Sequence, residues 1–234
     1  MMDSSSVSSS GPRKPSLAIK LLAGAPSRRT RLHDETGQLA PLGRVLRNAP
    51  KGLASTLLRL ALGRLPVRPW ISYDAQDLIE GHLNSGSRVL EFGSGMSTLW
   101  FAARAKQLVS IEDSPEWYQR IRNVLPHRDS ITYRLAESEA AYTAAPDGES
   151  FDLILVDGRW RDRCVQIALD RLSPRGILYL DNADKSSNDD SGDVPRAVAL
   201  MEEAALRNGW RLQRFTDFAP ALFFAQAGLL LQRD

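Results

Sequence analysis

The sequence contains a single cysteine, Cys164, and three histidines among its 234 residues. One cysteine excludes an internal disulfide and a thiolate metal cluster, since both need several thiols. No run of apolar residues approaches the roughly 18 that a helix needs to cross a bilayer. With 25% charged and 43% hydrophobic residues, the composition is typical of a soluble globular protein. We therefore expect a cytoplasmic protein.

Acidic residues are scarce at the N-terminal end of the chain. Residues 1–70 contain 12 Lys and Arg but only three acidic residues, whereas residues 71–234 contain 18 basic and 25 acidic residues. The larger part of the chain is therefore mildly acidic. Because binding to a phosphate backbone needs a basic surface, we do not expect this part to bind nucleic acid.

The N-terminal region divides into a tail and a basic helical segment. Residues 1–36 are rich in Ser, Pro and Arg, which predicts a disordered tail but is also typical of organellar transit peptides. Residues 42–65 alternate Leu or Val with Arg at helical spacing, so residues 37–69 are predicted to form basic amphipathic accessory helices. We expect their apolar face to pack on the core or on a second subunit of a homodimer. The alternative is contact with an anionic membrane or a partner protein.

The remaining residues, 70–234, are predicted to form an α/β domain. Apolar runs that predict strands alternate with helical patterns, and these runs cover residues 88–92, 108–111, 131–135, 151–158 and 177–180. The expected architecture is a Rossmann-like, doubly wound, mostly parallel sheet, with seven strands and an antiparallel last strand. Polar residues follow several of the runs, and in an open α/β sheet that edge binds the ligand.

A glycine-rich turn follows the first apolar run and opens a helix. The glycines of Gly93-Ser94-Gly95 allow a tight turn and a close approach of the backbone to a ligand. The helix then begins at Ser97 and Thr98, where free N–H groups can bind a carboxylate or a phosphate. The turn alone is weak support for a nucleotide site.

An acidic residue at the end of the second run strengthens this prediction. Glu112 lies 21 residues after Glu91, at the tip of the second predicted strand. A carboxylate at this place can accept hydrogen bonds from both hydroxyls of a ribose. The two features together predict a cofactor that contains a nucleoside.

The motif Glu91-Phe92-Gly93-Ser94-Gly95 resembles the first motif of the class I S-adenosylmethionine-dependent methyltransferases, and the resemblance extends over residues 70–234. It implies S-adenosylmethionine as cofactor, with the ribose on Glu112 and the adenine near Glu137-Ser138. The implied cofactor-binding residues are Glu91, Gly93, Ser94, Gly95, Ser97, Thr98, Glu112, Asp113, Glu137, Ser138 and Asp157. The alternative is a nicotinamide-binding domain, which would prefer glycine where Thr98 stands and usually lacks an acid at Glu91.

A narrower resemblance concerns the metal-dependent catechol- and caffeoyl-type O-methyltransferases. They carry an Asp after the fourth strand and an Asp-Asn pair after the fifth, which correspond here to Asp157 and Asp181-Asn182. The resemblance implies a Mg²⁺ ion on these three residues, holding a hydroxyl oxygen of a small-molecule acceptor beside the methyl group. In the alternative, Asp157 contacts only the cofactor and Asp181-Asn182 caps a loop.

One departure from that family leaves the general base open. The family's lysine three residues after the strand-four Asp is replaced here by Trp160, so Asp157 or a metal-bound hydroxide remains for this role. Arg159 and Arg161 stay protonated near neutral pH. They either bind an anionic acceptor or form ion pairs at the start of a helix.

The function expected from the sequence is therefore methyl transfer from S-adenosylmethionine to a small molecule, at a hydroxyl oxygen and with assistance from Mg²⁺. A metal-free enzyme acting on nitrogen or another acceptor is the first alternative. The second is a partner protein that binds the cofactor without catalysis.

Overall fold

The computed structural model of the chain describes residues 27–146, 148–185 and 192–233. Residues 1–26 lie outside this description, and with them most of the predicted tail and targeting signal. Most of the polar loop that follows Asp184 also lies outside the described residues.

The described residues contain one sheet of seven strands in the order β3-β2-β1-β4-β5-β7-β6. All pairings are parallel except those of β7, which runs antiparallel to both of its neighbours, β5 and β6. The predicted doubly wound sheet with an antiparallel last strand is thus confirmed. The strands are β1 Arg88–Phe92, β2 Gln107–Glu112, β3 Ile131–Leu135, β4 Phe151–Val156, β5 Leu172–Leu180, β6 Arg211–Phe218 and β7 Ala225–Gln232.

Helices cover both faces of the sheet. The helices are α1 Leu42–Leu62, α2 Tyr73–His82, α3 Met96–Ala102, α4 Pro115–Arg122, α5 Glu139–Tyr142, α6 Arg161–Arg171 and α7 Asp193–Asn208. Two apolar clusters, one on each face, bury β1 and β4 from both sides, which explains their nearly continuous apolar sequences. None of the helices described is long and apolar enough to cross a membrane.

The strand order reverses next to β1, and this reversal positions the site. Phe92 at the end of β1 pairs with Ile111 of β2 on one side and with Val156 of β4 on the other. The three strands therefore end at the same level. A crevice opens at such a point because the flanking connections leave in opposite directions.

The chain is folded from Ser27 onward, so the prediction of disorder is wrong for residues 27–36. Asp34 is fully buried and accepts hydrogen bonds from the backbone N–H groups of Thr36 (3.0 Å) and Gln38 (2.9 Å). The Arg31 carbonyl accepts a hydrogen bond from the Ala225 N–H at 2.7 Å. Amino-acid composition could not predict that residues 27–36 are ordered, because the residues that they contact lie far away in the chain.

Helix α1 is attached to the domain through its polar side. The amide nitrogen of Asn48, which is fully buried, donates to Asp217 at 2.7 Å and to Asp74 at 2.9 Å. One turn later, a Cβ on Gly52 would lie 3.0 Å from the Leu222 carbonyl oxygen. The helix therefore packs closely through residues that carry little or no apolar side chain.

The leucines of α1 face outward as a consequence. Leu42, Leu46, Leu57 and Leu60 have exposed fractions of 71%, 70%, 56% and 71%. The expected packing of this apolar face on the core is therefore not observed. The buried hydrogen bonds of Asn48 determine which side faces the domain, since leaving Asp217 without this donor in the interior would be costly.

Replacing Asn48 with Ala is expected to lower the free energy of unfolding by about 2 kcal/mol, because the Asp217 carboxylate loses its buried donor. Urea unfolding followed by circular dichroism measures the change. The matched control is Asn208→Ala, whose exposed amide donates only to the Ala204 carbonyl in its own helix. Equal losses in the two variants would show that Asn48 does not hold α1 in place.

Candidate active site

The glycine turn after β1 lies directly against the backbone that follows β4. Gly93 has φ +93°, and a Cβ at this position would lie 2.7 Å from the Gly158 nitrogen. A Cβ on Gly158 would in turn overlap the Tyr142 hydroxyl. Both positions thus require glycine, for backbone conformation at the first and for space at both. The contact brings the ends of β1 and β4 together.

Glu91 is the buried carboxylate beneath this turn. Its Oε2 accepts hydrogen bonds from the hydroxyls of Thr98 and Ser110, both at 2.6 Å, and Thr98 Oγ1 also accepts from the Gly95 N–H at 2.9 Å. The other oxygen, Oε1, is buried and has no hydrogen-bond partner among the described residues. An unpaired buried carboxylate oxygen needs a donor that is supplied from elsewhere.

The pKa of Glu91 is raised to about 7, because burial disfavours the charged form. Hydrogen bonds from Ser110, Ser97 and Thr98 oppose this effect, and the nearby charge of Asp157 adds to it. A ligand cation at Oε1 would stabilise the ionised form. S-adenosylmethionine carries an ammonium group on its methionine part, so the unpaired oxygen and the open glycine turn fit this cofactor.

Glu112 lies at the tip of β2, as expected, but all four of its lone-pair positions are already in use. Oε2 accepts from the Ser94 N–H at 2.8 Å and from the Ser94 hydroxyl at 2.6 Å. Oε1 accepts from the N–H groups of Asp113 (3.1 Å) and Ser114 (3.0 Å). The Ser94 hydroxyl, which also lies 2.8 Å from the Tyr133 hydroxyl, must rotate away before a ribose can bind here.

The predicted adenine-side residues lie beside Glu112. The Ala136 N–H donates to the Glu112 carbonyl at 2.8 Å, so Glu137 and Ser138 follow directly at the same edge, where both are exposed. The Ser138 hydroxyl caps α5 by accepting from the Ala141 N–H at 3.3 Å. Their contact with an adenine stays a prediction.

Two carboxyl groups and a buried arginine meet at the ends of β4 and β5. Asp181 is 4% exposed, and burial together with the nearby charge of Asp157 raises its pKa well above the usual range. Burial also raises the pKa of Asp157, but this side chain is 39% exposed and Arg161 lies 3.4 Å from it. Water and the guanidinium both favour the charged form of Asp157, whereas the deeper burial of Asp181 disfavours its charged form.

Two of the three predicted Mg²⁺ ligands, Asp157 and Asp181, lie together here, and metal binding to them stays a prediction. Asp181 accepts a 3.5 Å hydrogen bond from the Gln226 amide, while Asp157 already pairs with Arg161. Across residues 27–146, 148–185 and 192–233, no group of three His, Cys, Asp or Glu side chains is placed to hold a metal. The third predicted ligand, Asn182, has φ +51° in the turn after β5.

A cavity of about 620 Å³ opens next to this cluster. It is lined by Glu139, Gly158, Arg159, Trp160, Arg161, Asp162, Arg163, Lys185, Asp193 and Arg196. Five of the lining residues are cations and three are acids. The Trp160 ring packs against Tyr142, with centroids 5.4 Å apart, and the Arg159 guanidinium lies 4.5 Å from the Trp160 ring centroid. The residue that replaces the expected lysine is therefore a wall of the cavity.

Comparisons with known proteins agree with this geometry. A family model described as a methyltransferase domain matches residues 90–183, from β1 to the turn after β5. This match and the fold support the class I S-adenosylmethionine-dependent methyltransferase family that the motif around Gly93 resembles. No curated protein sequence matches it.

Two solved structures show the same fold. An O-methyltransferase from Bacillus cereus in complex with SAH is 19% identical, with a TM-score of 0.55 over 78% of this methyltransferase and 90% of that chain. TomG, an O-methyltransferase from Streptomyces achromogenes involved in tomaymycin synthesis, was solved with SAM. It is 17% identical, with a TM-score of 0.54 over 78% of this chain and 89% of its own.

Several residues of the methyltransferase site were not predicted from the sequence. Ser110 binds Glu91 from β2, and a polar residue inside an apolar run was the only signal for it. Trp117 donates its indole N–H to the Ser94 carbonyl at 2.6 Å, and Tyr133 contacts the Ser94 hydroxyl. Tyr142 lies beneath Gly158, and its buried hydroxyl has no hydrogen-bond partner within the described part of the chain. The sequence pattern around these three aromatic residues is the same as that of ordinary core positions, so it gave no signal of a role in the site.

Replacing Glu91 with Gln is expected to remove a pH dependence of stability. Because the folded pKa of Glu91 is near 7, its protonated form stabilises the fold below the unfolded pKa of about 4.3. This contribution is lost as the pH rises through 7, and the loss amounts to about 3 kcal/mol.

Urea unfolding between pH 4.5 and pH 8 measures this effect. The wild-type protein should lose stability relative to Glu91→Gln as the pH rises. The control variant Glu116→Gln, at an exposed position, should follow the wild type. Parallel pH profiles of wild type and Glu91→Gln would contradict the raised pKa.

Replacing Ser94 with Ala is expected to tighten the binding of S-adenosylhomocysteine by about tenfold. In the wild type, the charge-assisted hydrogen bond from the Ser94 hydroxyl to Glu112 must break before a ribose hydroxyl can bind that carboxylate oxygen. The variant lacks this hydroxyl, so the lone pair of Glu112 is free from the start. Titration calorimetry measures the affinity, with Ser87→Ala, at the opposite end of β1, as the control. Weaker binding to Ser94→Ala would mean that this hydroxyl contacts the cofactor directly.

Proposed function

We propose that this methyltransferase transfers the methyl group of S-adenosylmethionine to a hydroxyl oxygen of a small acceptor that carries a negative charge. The observation that carries the proposal is the cavity of about 620 Å³ lined by five cations. Gly158 forms part of its wall and also contacts Gly93 of the glycine turn. An acceptor in the cavity is therefore next to the turn that is expected to hold the cofactor's methionine part.

The charge of the cavity favours an anionic acceptor over an amine. Several of its cations form ion pairs that leave donors exposed to water: Arg159 lies 3.3 Å from Asp113, and Arg163 lies 3.4 Å from Glu139. Their side chains are 65% and 57% exposed, so their guanidinium groups can bind a carboxylate or a phosphate in a bidentate manner. A protonated amine would be repelled by the same surface, which argues against the alternative nitrogen acceptor.

Asp157 is the group that can take a proton from the acceptor hydroxyl. It lies between Val156 at the end of β4 and Gly158 in the cavity wall, and its side chain reaches solvent. The cofactor, when bound, supplies an electrophilic methyl group on a positively charged sulfur. The chain then needs only to hold the acceptor oxygen in line and to remove its proton.

Arg161 supplies a fixed positive charge in place of the expected Mg²⁺. Its side chain is 6% exposed, its guanidinium pairs with Asp157, and its backbone N–H donates to Asp193 at 3.0 Å. These contacts hold the guanidinium beside the cavity, and its buried Nε has no partner among the described residues. A guanidinium in this position stabilises a developing oxyanion without a metal.

The test is to measure S-adenosylhomocysteine formation with paired acceptors: aromatic and aliphatic hydroxy acids, and their methyl esters. The acids should be preferred. In Arg159→Gln the KM for an acid should rise by about tenfold, because one charged hydrogen bond is lost, while the KM for the ester should hardly change. The control Arg211→Gln changes an exposed cation at the start of β6 and should have neither effect.

Three outcomes would contradict the proposal in different ways. A preference for the esters would exclude an anionic acceptor, and activity that depends on added Mg²⁺ would exclude the role given to Arg161. Binding of S-adenosylhomocysteine without turnover of any acceptor would favour the alternative of a cofactor-binding partner protein.

A further inference from the structure

Helix α1 presents a continuous apolar stripe to solvent. At about 100° per residue, Leu42, Leu46, Leu53, Leu57 and Leu60 fall on one narrow face that extends along most of the helix. Their exposed fractions lie between 37% and 71%. Isolated exposed leucines are common on protein surfaces, but a contiguous stripe indicates a binding surface.

A second apolar surface lies beside the stripe. A cavity of about 480 Å³ is lined by Leu58 and Leu62 of α1, by Leu65 and Pro66 after it, and by Pro220 and Tyr73 of the domain. Its other lining residues are Ser55 and three cations, Lys51, Arg64 and Arg68, with no acidic residue among them. A site with apolar walls and cationic edges fits an amphiphile with a negatively charged head group.

The charge around the stripe has one sign. Residues 36–73 contain six Lys and Arg and no Asp or Glu. Arg44 and Arg47 pair with Asp74 on the side that faces the domain, and Lys51 donates to Asn48 at 3.2 Å on the same side. Arg59, Arg64 and Arg68 remain to bind a partner outside. Basic residues along the flank of an exposed apolar helix face are the pattern of helices that lie in the interface of an anionic bilayer.

We propose that α1 and the adjoining cavity dock this methyltransferase on a membrane surface that contains anionic phospholipids. The leucine stripe enters the boundary between head groups and acyl chains, and Arg64 and Arg68 contact lipid phosphates. A second copy of the chain is a poorer occupant. In a two-fold symmetric dimer the same face would meet itself and bring the two sets of cations together without an opposing acid.

Co-sedimentation of the full-length protein with vesicles tests the proposal. The protein should bind vesicles of phosphatidylcholine mixed with phosphatidylglycerol and bind much less to phosphatidylcholine alone. High salt should release it, since screening weakens the attraction to the surface. Equal binding to both vesicle types, or binding to neither, would overturn the proposal.

Two pairs of variants separate the apolar from the charged contribution. Leu57→Gln/Leu60→Gln should weaken vesicle binding by at least about tenfold through lost apolar burial. The control Val124→Gln/Leu206→Gln changes two side chains that are 60% and 88% exposed outside α1 and should bind normally. Arg64→Gln/Arg68→Gln should weaken binding by about 25-fold, at about fivefold for each cation, and its control is Arg207→Gln/Arg211→Gln.

Two further measurements keep the test decisive. Calorimetry with S-adenosylhomocysteine should give the same affinity for all four variants, which shows that they are folded and separates this proposal from that for the acceptor. Sedimentation velocity should give a monomer in each case. A wild-type dimer that Leu57→Gln/Leu60→Gln dissociates, together with no binding to vesicles, would assign the stripe to a second copy instead.

Discussion

The site depends on one backbone contact, in which Gly93 after β1 lies against Gly158 after β4. A Cβ on Gly93 would come within 2.8 Å of Gly158 backbone atoms, and one on Gly158 would overlap the Tyr142 hydroxyl. Because no side chain separates the two turns, Glu91 and Asp157 belong to one site. The cavity proposed for the acceptor also begins next to the glycine turn. Two surfaces that would otherwise be independent are joined at this contact.

The features that could be predicted from the sequence are those that local patterns determine. Strands such as β1 and β4 are buried on both faces, so their sequences are nearly continuous apolar runs. The glycine turn and Glu112 could be predicted because each comes at the end of such a run, where the ligand-binding edge of the sheet lies. The Asn48 contact joins residues 169 positions apart, and no local pattern marks it. The hydrogen bonds that occupy the lone pairs of Glu112 and the ion pair of Asp157 could not be predicted from local sequence patterns for the same reason. They depend on which side chains the fold brings together.

The molecule separates its positive charge into two surfaces with different surroundings. Around the cavity proposed for the acceptor the cations alternate with acidic residues. The positive electrostatic potential is therefore confined to a small volume. In the cavity beside α1 the cations accompany leucines and no acidic residue, which suits the membrane surface proposed as its partner. The net charge of +2 describes neither surface. The arrangement of charge, more than its sum, distinguishes a site for a small anion from one for a membrane.

The unpaired oxygen of Glu91 has a consequence for how binding energy is distributed along the reaction. Methyl transfer removes the positive charge of the sulfonium and leaves the ammonium group of the cofactor unchanged. An ion pair between Glu91 and that ammonium would hold reactant and product equally, so it would contribute uniform binding and no acceleration. It would lower KM and increase inhibition by the demethylated product in the same proportion. Discrimination between the two cofactor forms must then come from groups that contact the sulfur.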